Sequence, residues 1–220
     1  MPRRRIDQVL TERGLADSRS KAQALILAGS VLVDGQKVEK PGQVVREDCA
    51  IDLLGQTRFV SRGGLKLEAA LDRFGIAVTG RICLDVGAST GGFTDCLLQR
   101  GALRVHTVDV GPSQLAWRIQ TDPRVVVHDH TNARYITPQQ IGESCSLCVC
   151  DVSFISVTLI LPALPPVLTA EGQMVILVKP QFEAGRDEVG KGGIVRDPQL
   201  HQAACARVQQ AVEALGFAAE

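Results

Sequence analysis

A short apolar run that breaks into a glycine turn and restarts as helix constrains this chain more than any other feature. Arg81-Ile82-Cys83-Leu84 leads into Asp85-Val86-Gly87-Ala88-Ser89-Thr90-Gly91-Gly92-Phe93, and Thr94-Asp95-Cys96-Leu97-Leu98-Gln99 has helix-compatible residues. Strand, glycine turn and helix start, in that order, suit a nucleotide-like ligand, because glycine lets the backbone come close. Two common versions of the motif do not apply. No Gly-Lys-Ser/Thr follows the turn, so it is not a Walker loop. Gly87-x-x-x-Gly91 also lacks the Gly-x-Gly-x-x-Gly spacing of a dinucleotide site, which leaves a dehydrogenase the weakest reading.

Strands and helices alternate from this point. Arg104–Val110, Val125–Asp129, Cys145–Val152 and Gln173–Lys179 read as further strands. Ser113–Ile119 reads as a short helix, Ile155–Leu168 as partly helical and Pro198–Leu215 as a long helix, with Gly216-Phe217-Ala218 opening a sixth strand. Alternation of this kind predicts an α/β fold with a mostly parallel sheet and helices on both faces. Ligands in such sheets bind at the carboxyl ends of the strands. Asp109 closes the second strand about twenty residues past the turn, where a carboxylate accepts the ribose hydroxyls of an adenosine. Asp151 and Lys179 close the fourth and fifth. A lysine at the end of a buried strand is costly unless paired, and burial lowers its pKa, which suits a general base acting on a hydroxyl. Asp151 would orient it and balance its charge, although a purely structural Asp–Lys pair fits the same residues.

Metal sites fit poorly. His128 and His130 flank Asp129 but no third ligand is evident, and Cys145-x-x-Cys148-x-Cys150 lacks a second ligand pair. Seven cysteines, most of them in apolar runs, read as buried free thiols of a cytosolic protein. No apolar leader precedes Ile6, and no stretch approaches the ~20 apolar residues of a membrane span. A soluble, cytoplasmic protein is expected. The 220 residues carry no net charge, so any basic surface is local.

That local surface lies in the first 60 residues, which read as a separate α+β module. Ile6, Val9 and Leu10 mark a first helix, stopped near Gly14. A second is capped by Asp17 or Ser18, turns Ala22, Leu25, Ile26 and Ala28 inward, and ends at Gly29. Val31–Val33, the turn Asp34-Gly35, Lys37-Val38, Gln43–Val45 and Ala50–Leu53 complete one small sheet. Arg3, Arg4, Arg5, Arg19, Lys21, Lys37 and Lys40 collect on this module, a charge pattern that attracts phosphates but also fits a solvated helix face. Residues 55–64 have linker character, and Leu67, Ala70, Leu71 and Phe74 give a helix stripe over Leu65–Phe74.

Three resemblances sharpen this. Asp85 before the glycine turn resembles motif I of S-adenosylmethionine-dependent methyltransferases. In these, a second-strand acid such as Asp109 (with Val110 beside it) and a third-strand acid such as Asp129 complete the cofactor site with Gly87, Ser89, Gly91 and Phe93. The pattern Arg5-Ile6-Asp7-x-x-Leu10, Ser18-Arg19-Ser20-Lys21-Ala22, Ile26-x-x-Gly29-x-Val31-x-Val33-Asp34-Gly35 and Lys40-Pro41 resembles the ribosomal-protein-S-four-like RNA-binding domain. Lys66, Asp151 and Lys179 resemble three members of the Lys-Asp-Lys-Glu tetrad of FtsJ-like RNA ribose 2′-O-methyltransferases. With Ser61-Arg62-Gly63-Gly64-x-Lys66, Val178-Lys179-Pro180-Gln181-Phe182-Glu183 and Gly190–Asp197, the whole chain is similar to the TlyA family.

The resemblance implies a Rossmann-like S-adenosylmethionine-dependent methyltransferase sheet with a small N-terminal RNA-binding domain. Its boundaries would be 1–58, a linker at 59–64, and 65–220, the last lacking its C-terminal part. The catalytic residues would be Lys66, Asp151 and Lys179. The RNA contacts would be Arg3, Arg4, Arg5, Arg19, Lys21, Lys40 and Arg62. The substrate would be a cytidine ribose of ribosomal RNA or ribosomal subunits, with no metal. The tetrad's Glu falls on a late strand beyond residue 220, which bears on activity. Rival expectations are an RNA-binding protein with an inactive methyltransferase fold, and a membrane-active haemolysin, the label often given to this family. The latter requires a long apolar or strongly amphipathic segment that the sequence lacks.

Overall fold

The computed structural model describes residues 3–16, 18–54, 58–185, 188–190 and 192–220, which form two compact units, 1–57 and 58–220. In the first, β1 (Arg3–Arg5) runs directly into α1 (Ile6–Glu12), followed by α2 (Arg19–Leu27), β2 (Val31–Val33), β3 (Gln36–Lys37), β4 (Val44–Arg46) and β5 (Ile51–Leu53). The apolar stripes foreseen for the helices form the core: Ile6, Val9 and Leu10 pack with Ala22, Ile26, Val31 and Val45. Ser18 caps α2, its side chain accepting the Lys21 N–H at 3.2 Å. Asp17, the other candidate cap, lies outside the described residues.

Two expectations for this unit need correcting. Ala28 is exposed, because α2 ends at Leu27 and Ala28 serves as its C-cap. The single small sheet is two: β3-β2-β5, and β1 paired antiparallel with β4 in the register Arg3↔Arg46, Arg5↔Val44. A run of three arginines has no alternation of apolar and polar residues, so nothing local announces it as a strand. Its pairing with β4 makes it one.

The second unit contains α3 (Gly63–Arg73), β6 (Ile82–Val86), α4 (Gly92–Gln99), β7 (Arg104–Val108), α5 (Trp117–Gln120), β8 (Val125–His128), α6 (Pro138–Ile141), β9 (Cys145–Cys150), β10 (Leu168–Ile176), α7 (Pro180–Glu183) and α8 (Pro198–Ala214). The five strands are parallel in the order β10-β9-β6-β7-β8. Their period-two alternation divides the core. Cys83, Leu147 and Val149 face Leu67, Leu71 and Leu97 of α3 and α4, while Leu84, Cys148 and Cys150 face Ile141 of α6 and Val208 and Val212 of α8. From β6 the chain steps outward to β7 and β8, then crosses back from β8 to β9 on the other side of β6, and the glycine turn sits at that switch point.

The expected linker at 59–64 belongs to this unit. Phe59 is 1% exposed and packs in its core, and α3 already starts at Gly63. Glycine and polar content mimic a linker; the one buried aromatic ring overrides them. Phe74 lies just past the end of α3 and is exposed, against its place in the predicted stripe. Residues 157–167 form three short 3-10 turns rather than a helix, since Pro162, Pro165 and Pro166 supply no N–H donors. The fifth strand ends at Ile176, three residues before Lys179, and residues 216–218 form no strand. Among the described residues, no helix is long and apolar enough to cross a membrane.

Candidate active site

Because β6 and β9 are neighbours in register, Val86 opposite Cys150, the next residue of each emerges at the same level: Gly87 and Asp151. The Asp151 N–H donates to the Val86 carbonyl at 3.0 Å. Gly87 has φ +83°, and a Cβ there would stand 2.8 Å from the Asp151 carbonyl oxygen, so both the backbone angle and the space demand glycine. Gly91 (φ +90°) opens α4, and Leu115 and Ile119 fill the space where its side chain would be. Gly91 therefore shapes the turn from behind.

Asp109 follows β7 and grips the turn directly. Its Oδ2 accepts the Ser89 N–H at 3.0 Å and its Oδ1 the Gly111 N–H at 3.2 Å. Asp85 is wholly buried beneath the turn, accepting the Thr94 hydroxyl at 2.5 Å, while its Oδ1 has no partner among the described residues. Burial pushes its carboxyl up to about 7, only partly opposed by the bonds from Thr94. Asp129 is half-buried after β8, and Val110 is exposed.

Lys179 lies just before Pro180, whose ring holds it extended (φ −113°, ψ 101°) and ends the strand path. Its ammonium forms an ion pair with the Asp151 carboxylate and donates to Ser153 Oγ at 2.8 Å. The two charged side chains are only 17% and 18% exposed. Glu183, buried four residues on, fastens the loop that carries Asp151 and Ser153. It accepts the Ser156 hydroxyl at 2.5 Å and the Val157 N–H at 2.8 Å. Sequence reasoning missed this brace; the available signal was an acid one helical turn past the lysine. In the same loop Phe154 adopts φ +67° and is 92% exposed, its ring 5.4 Å from that of Phe182.

These elements enclose a cavity of about 640 Å³, lined by the Gly87–Thr90 turn, Phe93, Lys66 of α3, Arg62, Ser153 and the Asp151–Lys179 pair. That volume lies in the range of small-molecule sites. The structure thus gathers Lys66, Asp151, Lys179, Gly87, Ser89 and Phe93 around one space, with Arg62 at it as well. Asp85 and Gly91 support the turn from below and behind, and Asp109, Val110 and Asp129 lie beyond the lining. Arg3, Arg4, Arg5, Arg19, Lys21 and Lys40 belong to the other unit, where Arg4 is engaged by Glu12 and Glu47.

His128 does not share a face with His130. The strand ends at His128, whose Nε2 shares a hydrogen bond with His106 Nδ1 at 2.9 Å, while His130 turns away at φ +52°. His106 Nε2 in turn meets Glu143 at 2.9 Å. Cys83, Cys96, Cys145, Cys148 and Cys150 are buried, and burial raises each thiol well above its ordinary value, so they behave as small apolar core residues. Cys205 is exposed.

Residues 59–219 match the FtsJ-like methyltransferase family, and residues 4–48 match the S4 domain family, which makes this a two-domain methyltransferase of the FtsJ-like class. The 16S/23S rRNA (cytidine-2'-O)-methyltransferase TlyA of Mycobacterium tuberculosis is 49% identical over 98% of this chain and 81% of its own. Hemolysin A of Brachyspira hyodysenteriae is 46% identical over 90% and 83%. A solved Streptococcus thermophilus structure carrying the hemolysin label is 44% identical, with a TM-score of 0.70, covering 97% of this chain and 79% of that one. The chain belongs to the TlyA family.

Proposed function

We propose that this protein transfers a methyl group from S-adenosylmethionine to the ribose 2′-hydroxyl of a cytidine in ribosomal RNA. The observation that carries the reading is the Lys179–Asp151–Ser153 cluster on the wall of the same cavity as the glycine turn. Gly87, Ser89, Gly91 and Phe93 would hold the cofactor from the turn, with Asp85 beneath it and Asp109, Val110 and Asp129 at the neighbouring strand ends. The fit is supported by the Gly87–Thr90 turn lining the cavity and by the unpartnered buried oxygen of Asp85 beneath it. The cofactor supplies an activated methyl group on a sulfonium, so the protein's main task is alignment.

As the neutral amine Lys179 takes or polarises the 2′-hydroxyl proton, Asp151 balances the ammonium that results, and Lys66 enters the cavity from α3 to position the ribose. Phe154 offers an exposed π-face beside the cluster on which a base can stack. Arg62 and the cations of the first unit, Arg3, Arg4, Arg5, Arg19, Lys21 and Lys40, hold the RNA backbone.

Calorimetric titration with S-adenosylmethionine, followed by ribose-methylation mapping of ribosomal RNA treated with the purified protein, tests this. Cofactor binding and a new 2′-O-methylcytidine support it. Cofactor binding without any new methyl group would mean an RNA-binding protein with an inactive fold, and lysis of red cells without cofactor would favour the haemolysin reading.

A further inference from the structure

Asp7 is a charged residue of the first unit, buried beneath Arg5, Arg19 and Gln23. Its side chain is 0% exposed, yet it accepts four hydrogen bonds from half-exposed groups. Arg5 donates from Nε to Oδ1 at 3.0 Å and from Nη2 to Oδ2 at 2.9 Å, a two-pronged grip. Arg19 donates its Nε to Oδ2 at 3.0 Å, and Gln23, one turn along α2, adds a fourth bond at 3.0 Å. Arg5 ends β1 and Arg19 starts α2, so one carboxylate fixes two cations from different elements. Their side chains remain 43% and 51% exposed. Nη1 of Arg5 and both terminal nitrogens of Arg19 make no hydrogen bond among the described residues.

We propose that Asp7 is a positioning residue: it locks Arg5 and Arg19 into one rigid pair of guanidinium groups whose outward nitrogens take a phosphate of the RNA backbone. This rests on reading the first unit as the RNA-binding part. Long arginine side chains lose rotamer freedom on gripping a phosphate, and here that freedom is already lost in the folded protein. One buried negative charge against two positive ones leaves the pair net positive toward solvent.

The sign of one mutational effect separates this from a purely structural pin between α1 and α2. Asp7→Asn removes one negative charge, which makes the basic face more positive by one. If bulk charge governs, it tightens RNA binding; if positioning governs, it weakens binding despite the added charge. Binding of purified bacterial ribosomal RNA is measured by filter retention at several salt concentrations, at a temperature where circular dichroism shows the variant folded. A loss of about tenfold is expected, from two side chains that must now be ordered on binding. Equal or tighter binding by the folded variant overturns the proposal. Failure of the wild type to bind would instead overturn the RNA-binding reading itself. The wild type also provides a measurement independent of that variant's folding: in nitrogen-15 spectra, Arg5 and Arg19 should show sharp, slowly exchanging Nε–H signals. Exchange as fast as that of other exposed arginines would overturn the proposal.

Discussion

Two aspartates, one in each unit, are both closed off from solvent and behave oppositely. Asp7 accepts four hydrogen bonds, and the Arg5 guanidinium in particular holds its carboxyl far below the usual carboxylate range. Asp85 is bonded among the described residues only by Thr94, and burial pushes it up to about 7. The difference shows that closure from solvent alone does not set the charge of a carboxyl group; the donors around it and the depth at which it lies do. The first unit spends its buried acid on holding two arginines that themselves reach solvent. The second keeps an under-bonded acid beneath the turn where a cationic cofactor is proposed to lie.

The largest expected effect lies in the second unit and leaves the first untouched. Lys179→Ala should lower methylation by about 10³-fold, the scale of a lost acid–base group, while calorimetry still finds cofactor binding. Equal loss of both would make Lys179 structural and remove the functional half of the contrast.

Next comes the pH dependence of the two acids. With a folded value near 7 and an ordinary unfolded value, Asp85 keeps its proton in the folded state after the unfolded chain has released it. Its contribution to stability therefore falls as pH rises from about 4 to 7. Asp85→Asn should be more stable than the wild type by roughly 2–4 kcal/mol at pH 8, and no more stable at pH 4, by denaturant unfolding without cofactor. A variant less stable at pH 8 would mean that Asp85 is charged and paired.

Asp7 has the reverse sign. Its folded value is depressed, so its stabilisation is complete above the ordinary carboxylate range and is lost as pH falls below about 4. Asp7→Asn should cost about 1–2 kcal/mol at neutral pH, since its partners are half-exposed, and progressively less as pH falls below about 4. Hydrogen exchange read separately over residues 3–54 and 58–220 would resolve the two trends in the intact chain.

The smallest effect concerns the brace on the catalytic loop. Glu183→Gln keeps an acceptor for the Val157 N–H and weakens the bond from Ser156, which should cost about 1 kcal/mol. It should also lower kcat severalfold with cofactor affinity unchanged. An unaltered kcat would show that Lys179, Asp151 and Ser153 hold their places without it.

Much of this was legible in the chain itself. The α/β alternation, the glycine turn and the stripes of α1, α2 and α3 are local patterns, and local patterns survive folding because they reflect backbone periodicity. Asp151 and Lys179 could be named because each closes a strand, whereas Lys66 entered only through the resemblance to the Lys-Asp-Lys-Glu tetrad. Other features had no local signature. Arg3–Arg5 became a strand through pairing with Val44–Arg46, and residues 59–64 looked like a linker until Phe59 was seen buried.

The sequence by itself determined which residues are chemically capable, because side-chain types and the periods of strand and helix are written locally. Only the tertiary structure decided which of them meet. It set Gly87 against the Asp151 carbonyl, closed the Lys179–Asp151 pair and gave Glu183 the loop to hold. It also surrounded Asp7 with four donors and left Asp85, under the turn that defines the chain, nearly alone. Those outcomes depend on strand order and register, which bring together residues far apart in the chain, and no local pattern encodes the company a buried charge will keep.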